Sequence, residues 1–231
     1  MINKTPNPLV ALSGALLLHV KLNKDTTALE QKLGEFTLEE LQRQLSSDEA
    51  KKTFWINIYN AYFQMLSNSK KVKRKTIFKV KSIEIAQKSF SLDDIEHGIL
   101  RRYRMKQSFG YLHNPFVSSL IKVLAVKKLD YRIHFALNCG AKSCPPIAFY
   151  TLEKLDEELN FVMESFLDSE TSIDENNKTI STSKLLYWYC ADFGGYFKIK
   201  NVLKDVLNRD FTNYKLSFKE YSWDTQLNNY L

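Results

Sequence analysis

The residues most able to do chemistry lie in one short run, Asn138-Cys139-Gly140-Ala141-Lys142-Ser143-Cys144-Pro145-Pro146, with His134 just before it. Cysteine reacts as the thiolate, which a nearby imidazolium, a lysine or free backbone N–H groups favour. This run offers all three. Four chemistries fit it. Cys139 or Cys144 can act as a thiol nucleophile with His134 or His97 as base. The two cysteines can pair as a disulfide, although four intervening residues do not make the C-x-x-C redox motif. They can bind a metal together with a histidine, although the spacing matches no familiar zinc signature. They can also be a buried, unreactive pair of thiols in a rigid loop. Cys190, in the aromatic run LLYWYC, reads as a core residue.

Two further constellations accompany the loop. In LDDIEHGILRRY, Asp93, His97 and Arg101 are spaced 4 and 4 and form a charged line on one helix face. Leu92, Ile95, Ile99 and Tyr103 form the apolar stripe. Glu96 borders that stripe, and a buried acid there needs a partner such as Arg101 or His97. The bland alternative is a solvated helix with ordinary ion pairs. Gly98 weakens the helix and marks a close approach by another segment. In the second constellation, Thr53, Asn57, Asn60 and Gln64 are spaced 4, 3 and 4 along the otherwise apolar FWINIYNAYFQML. They share one face. Buried amides must be paired, so this stripe either clips neighbouring loop backbone or lines a polar pocket.

These groups need elements to hold them. Pro8 starts a helix running to about Lys21. Thr37 and Glu40 form a capping box ahead of a short helix over Leu38 to Leu45. Ser47 opens the longest helix, about Asp48 to Ser67, which is apolar on nearly every side and so buried all round. Ile83–Ala86 and Lys88–Ser91 read as short strands. Ser91 with Asp94 caps the IEHGILR helix. A helix follows Asn114-Pro115 and runs to about Val126. Alternation over Tyr131–Leu137 predicts a strand that points His134 and Asn138 to one side. Helices are expected at about 151–168, 182–191 and 200–208, with an edge strand near Tyr214–Phe218. The expected fold is α+β, a single mixed domain over 1–231. Helices dominate it, with N-terminal ones at 8–46, and a motif-bearing core at 47–228 includes a small sheet carrying the RIHFALN strand.

Composition excludes several classes. The chain has 231 residues, 44% apolar and 26% charged, with 7 Gly, 5 Pro and 3 Cys. That rules out extensive disorder, collagen-like repeats and a disulfide-stapled scaffold. No apolar run is long enough for a transmembrane helix. The apolar Leu9–Leu18 stretch lacks a small-residue cleavage site and reads as an ordinary first helix rather than a signal peptide. A soluble protein is expected, cytoplasmic or exported as a mature fragment. The net charge of +7 includes seven Lys/Arg within residues 70–81. Without a groove-reading motif, that stretch reads as a solvated loop, and nucleic acid is not the expected partner.

FWINIYNAYF, SLDDIEHGILR, YRIHFALNCGAKSCPPI, LLYWYCADFG and YSWDTQLN together resemble the bacterial and plant family called domain of unknown function 547. The resemblance spans about Ser46 to Asn228. It implies one mixed domain and shared use of Asn57, Asn60, Glu96, His97, Arg101, His134, Asn138, Cys139, Ser143 and Cys144. It brings no reaction with it. This chain departs in having Tyr131 where Pro often precedes the Arg, and in its lysine-rich stretch.

The leading expectation is a cysteine-dependent site, hydrolase- or transferase-like, acting on a small molecule or peptide and calling for no cofactor. Cys139 or Cys144 is the nucleophile, His134 or His97 the base, and Glu96 the group that orients it. Asn57, Asn60, Arg101, Asn138 and Ser143 bind or position. The alternatives are a noncatalytic interaction or scaffold domain built on a buried Cys/His/Asn network, and a metal site using Cys and His.

Overall fold

The computed structural model describes residues 7–69, 73 and 76–231. Four of the seven Lys/Arg of the 70–81 stretch, read as a solvated loop, therefore lie outside the described residues. Helix α1, Pro8–Lys21, starts where the Asn7 side chain accepts the Leu9 and Val10 N–H groups. Helix α2, Thr27–Glu35, was not expected from the sequence. Helix α3, Leu38–Gln44, begins with the Thr37–Glu40 capping box. Helix α4, Asp48–Asn68, is capped by Ser47. Every residue of α4 from Ala50 to Gln64 is buried, and α1 packs along it.

Strands β1, Ile83–Ile85, and β2, Lys88–Phe90, form an antiparallel hairpin. Ser91 and Asp94 then cap one another reciprocally, and Asp94–Leu100 is a π-helix rather than the expected α-helix. Its wider turn carries bonds from Arg101 N–H to Glu96 O and from Tyr103 N–H to Gly98 O. Such turns are rare and often sit at functional sites. The close approach expected at Gly98 is there. A Cβ on it would sit 2.9 Å from Ile121 Cγ2 of helix α5, Ser119–Leu124.

The expected strand at 131–137 is instead a 3₁₀ helix, Tyr131–Phe135. No strand lies beside it, so its backbone bonds locally. Asp130 caps the Arg132 N–H, and Ile133 O accepts from Ala136 and Leu137. Helix α6, Leu155–Glu170, packs on this segment. Strands β3, Ser172–Asp174, and β4, Thr179–Thr182, form an antiparallel hairpin that the sequence reading missed. Strand β5, Lys215–Phe218, adds in parallel to β4 and forms the expected edge. Between them, the helix expected over 182–191 shrinks to α7, Leu185–Trp188, followed by turns, and α8 covers Ile199–Leu207. The fold is α+β and mostly helical, as expected, but its two small sheets do not include RIHFALN. Among the described residues, no helix is long and apolar enough to cross a membrane.

Candidate functional site

The polar stripe on α4 clips loops in place. Asn60 Nδ2 donates to Ala136 O at 2.9 Å, and its Oδ1 accepts the Asn138 N–H at 3.0 Å. Asn57 makes the same two-way clasp on the Tyr150 backbone at 2.9 and 3.2 Å. Gln64 Oε1 accepts from Asn228 N–H, while Thr53 bonds back within its own helix. Asn138 in turn closes the cysteine loop, donating to Pro145 O and accepting from the Gly140 N–H. Ser143 Oγ accepts the Ser222 N–H. Asn57, Asn60, Asn138 and Ser143 thus hold backbone, and none of the four lines the main cavity. Asn60→Ala leaves two buried backbone groups unpaired. It is expected to cost about 2–6 kcal/mol in urea denaturation, at about 1–3 kcal/mol per unsatisfied group; a cost below about 0.5 kcal/mol would contradict the clasp.

The loop itself is cross-linked. Cys139 and Cys144 form a disulfide, with Cα atoms 6.1 Å apart. The free thiol nucleophile expected at either position therefore exists only after reduction, and neither sulfur is open to ligate a metal. Among the described residues, no group of three or more His, Cys, Asp and Glu is placed to hold one. Tyr221 Oη lies 3.3 Å from Cys139 Sγ and 3.2 Å from Cys144 Sγ. The Cys139 N–H donates to Cys144 Sγ at 3.0 Å. Gly140 has φ +69°, and a Cβ there would lie 2.8 Å from the Phe63 ring, so the turn requires glycine. The segment carrying Tyr221 runs along the loop. It pairs Lys142 N–H with Asp224 O and Gln226 N–H with Gly140 O.

Two of the three members of the charged line, His97 and Arg101, are buried and Asp93 is partly so, which excludes the solvated alternative. Arg101 is fully buried. Its Nε donates to Asp192 Oδ2 at 2.7 Å, and its NH1 donates to His97 Nδ1 at 2.8 Å. Asp192 Oδ2 also takes His134 Nε2 at 2.8 Å. Sequence reasoning missed Asp192, although it is the one acid in the aromatic run 185–197. Glu96 does not pair with Arg101. Its two oxygens accept from Tyr59 Oη at 3.2 Å and Tyr189 Oη at 2.9 Å. The Arg101 guanidinium lies 4.5 Å from the Tyr189 ring, and the His134 ring stacks on it at 4.0 Å.

These contacts set the charges. Burial alone pushes the Glu96 carboxyl up, but the charge of His97, Arg101 and His134 and the Tyr189 hydroxyl bring it down to about 2. Burial pushes both His97 and His134 below the ordinary imidazole value, against the pull of their carboxylate neighbours Glu96 and Asp192. At neutral pH both rings are uncharged. His134 then donates from Nε2 to Asp192, which leaves its proton-accepting lone pair on Nδ1. Tyr59 and Tyr189 are pushed well up by burial and by Glu96, so both stay protonated donors.

A cavity of about 370 Å³ opens onto this assembly. Cys139, Cys144, His134 and Glu96 line it, together with aromatic rings that include Trp188, Tyr221 and Trp223. Of the expected catalytic residues only His97 stays out, behind Glu96. Arg101 is not among the lining residues. A smaller cavity touches Cys139 from the side of Phe63 and Leu227.

The family model described as "Protein of unknown function, DUF547" matches residues 42–167. The chain belongs to this family. In this DUF547 protein the match covers α4, the π-helix, the cysteine loop and most of α6. Asp192, Tyr189 and Tyr221 lie beyond the matched residues yet complete the site. No curated protein and no solved structure matches the chain.

Proposed function

We propose that this DUF547 protein is a cysteine-dependent enzyme working by thiol–disulfide exchange in the aromatic cavity. The observation that carries this reading is that both disulfide sulfurs line a cavity alongside an Asp192-held His134. Cys139 is half-buried and Cys144 is only 5% exposed, so an incoming thiol reaches Cys139. His134 Nδ1 takes the proton of that thiol. The resulting thiolate attacks Cys139 Sγ, a mixed disulfide forms there, and the Cys139–Cys144 bond breaks. Cys144 leaves as a thiolate, which the Cys139 N–H and Tyr221 hydroxyl stabilise by hydrogen bonding. A second thiol then attacks the substrate sulfur of the mixed disulfide. The products are the substrate disulfide and two protein thiols, with protons conserved. A hydrolytic or acyl-transfer use of the same thiols would begin only after this reduction.

The clasps from Asn60, Asn138 and Ser143 favour a second reading, a static scaffold in which the disulfide only braces the loop. One experiment separates the two. The folded protein is treated with 2-mercaptoethanol, quenched by alkylation and weighed by mass spectrometry. Exchange predicts opening without denaturant, and, in Cys144→Ser, whose Cys139 is a free thiol, a mixed disulfide on Cys139 when the folded variant is given 2-hydroxyethyl disulfide, with one 2-mercaptoethanol released. A disulfide that opens only once the protein unfolds would leave the scaffold standing and the enzyme reading without support.

A further inference from the structure

The disulfide shares its cavity with a buried carboxylate that no cation contacts from the cavity side. Both oxygens of Glu96 accept from phenols, Tyr59 and Tyr189. Arg101, the nearby fixed cation, is committed to Asp192 and His97, packs 4.5 Å from the Tyr189 ring and is not among the lining residues. The imidazole nearest to Glu96, Nδ1 of His97 at 3.6 Å, already accepts from Arg101 and has no proton there to offer. Across from Glu96, the wall is aromatic. Trp188 and Trp223 each pack on Tyr221, at centroid distances of 4.8 and 4.7 Å. Ring faces attract cations and offer nothing to anions. Among the described residues, Lys106 is the single Lys or Arg of the lining, and it is half-exposed. Its Nζ lies 3.5 Å from Asp93 Oδ1 and 5.3 Å from the Phe78 ring. Its charge is thus already paired.

We infer that the cavity selects small thiols carrying an ammonium group, with Glu96 and the Trp188–Tyr221–Trp223 wall holding the cation while the sulfur meets Cys139. This names a substrate class for the exchange proposed above and rests on that reading. The volume, about 370 Å³, is at the small end of ligand pockets and suits a molecule of this kind.

The test compares three thiols of similar size on the folded protein: cysteamine, 2-mercaptoethanol and 3-mercaptopropionate. Opening of the Cys139–Cys144 disulfide is followed by alkylation and mass spectrometry at one pH, with each rate divided by the thiolate fraction. Cysteamine is expected to exceed 3-mercaptopropionate by about tenfold, the ratio that about 1.4 kcal/mol of preference gives, with 2-mercaptoethanol between. Glu96→Gln is expected to bring the three rates within about twofold, since an uncharged amide has no cation preference. Should that variant not fold, wild-type protein answers the question alone: n-butylammonium is expected to slow cysteamine and butyrate to have no effect. Equal rates for the three thiols, or inhibition by butyrate instead, would overturn the ammonium preference and leave exchange intact. Failure of all three to open the disulfide in folded protein would overturn both.

Discussion

Asp192→Ala is expected to destabilise the protein by about 3–5 kcal/mol, the usual cost of stranding one member of a buried ion pair. The Arg101 and Asp192 side chains are both 0% exposed. The carboxylate also holds His134 and lies 3.4 Å from Arg104 NH1. Removing it leaves a fully buried guanidinium without its hydrogen-bonded counter-charge. At about 2–4 °C per kcal/mol for a chain of this size, the midpoint should fall by roughly 6–20 °C. Replacing both partners, Arg101→Met with Asp192→Leu, should recover much of the loss, since an apolar pair of similar volume often stands in for a buried ion pair at little net cost. Denaturant titration of the three proteins measures this directly. A single-variant loss under about 1 kcal/mol would mean that water reaches Arg101.

Acid is expected to unfold the protein through the same cluster. His97 and His134 are held below 6.5, so under about pH 6.5 the unfolded chain binds protons that the fold resists, and stability falls as pH drops. Glu96 is lowered from 4.5 to about 2 and Asp130 from 3.8 to about 2, the latter because hydrogen bonds from Arg132 and Lys52 outweigh its burial. For a lowered carboxylate the stabilisation is complete above the unfolded value and is lost as pH falls through the folded one. At about 1.4 kcal/mol per unit, Glu96 contributes about 3 kcal/mol and Asp130 about 2 kcal/mol over that window. All four groups act with the same sign. Urea denaturation across pH should therefore show a level region near neutrality and a decline below about 6.5 that steepens under about 4.5. Glu96→Gln should flatten the lower part of the curve. An unchanged acid limb in that variant would remove Glu96 from the account.

Local signals in the sequence were reliable where a short-range rule decides the structure. The Thr37–Glu40 box, the Ser47 cap, the buried α4 and the two short strands β1 and β2 all formed as read. The amide stripe did what unpaired buried amides must do and found backbone. What failed depended on distant partners. Tyr131–Phe135 alternates like a strand, but strands need neighbours, and this segment is enclosed by helices. Asp192 lies 91 residues from Arg101, and no spacing rule links them. Glu96 was rightly singled out as a buried acid, and His97 lies 3.6 Å from it, but its hydrogen bonds come from hydroxyls of α4 and of the turn after α7, and Arg101 acts on it only through charge. Both cysteines were found, but their spacing left pairing as one of four chemistries.

The Tyr221 hydroxyl that touches both sulfurs belongs to a residue 82 positions after Cys139. At a ribosomal rate of about 5–20 residues per second, the cysteine loop is made roughly 4–16 s before Tyr221 exists. Throughout that interval the loop can be held by Asn60 from α4 and by Asn138 closing on Gly140 and Pro145, but not by the segment that begins at Tyr221. Nascent chains thus pass through a stage in which both sulfurs stand without their cover, and the cavity wall is complete only once Tyr221 and Trp223 have been made.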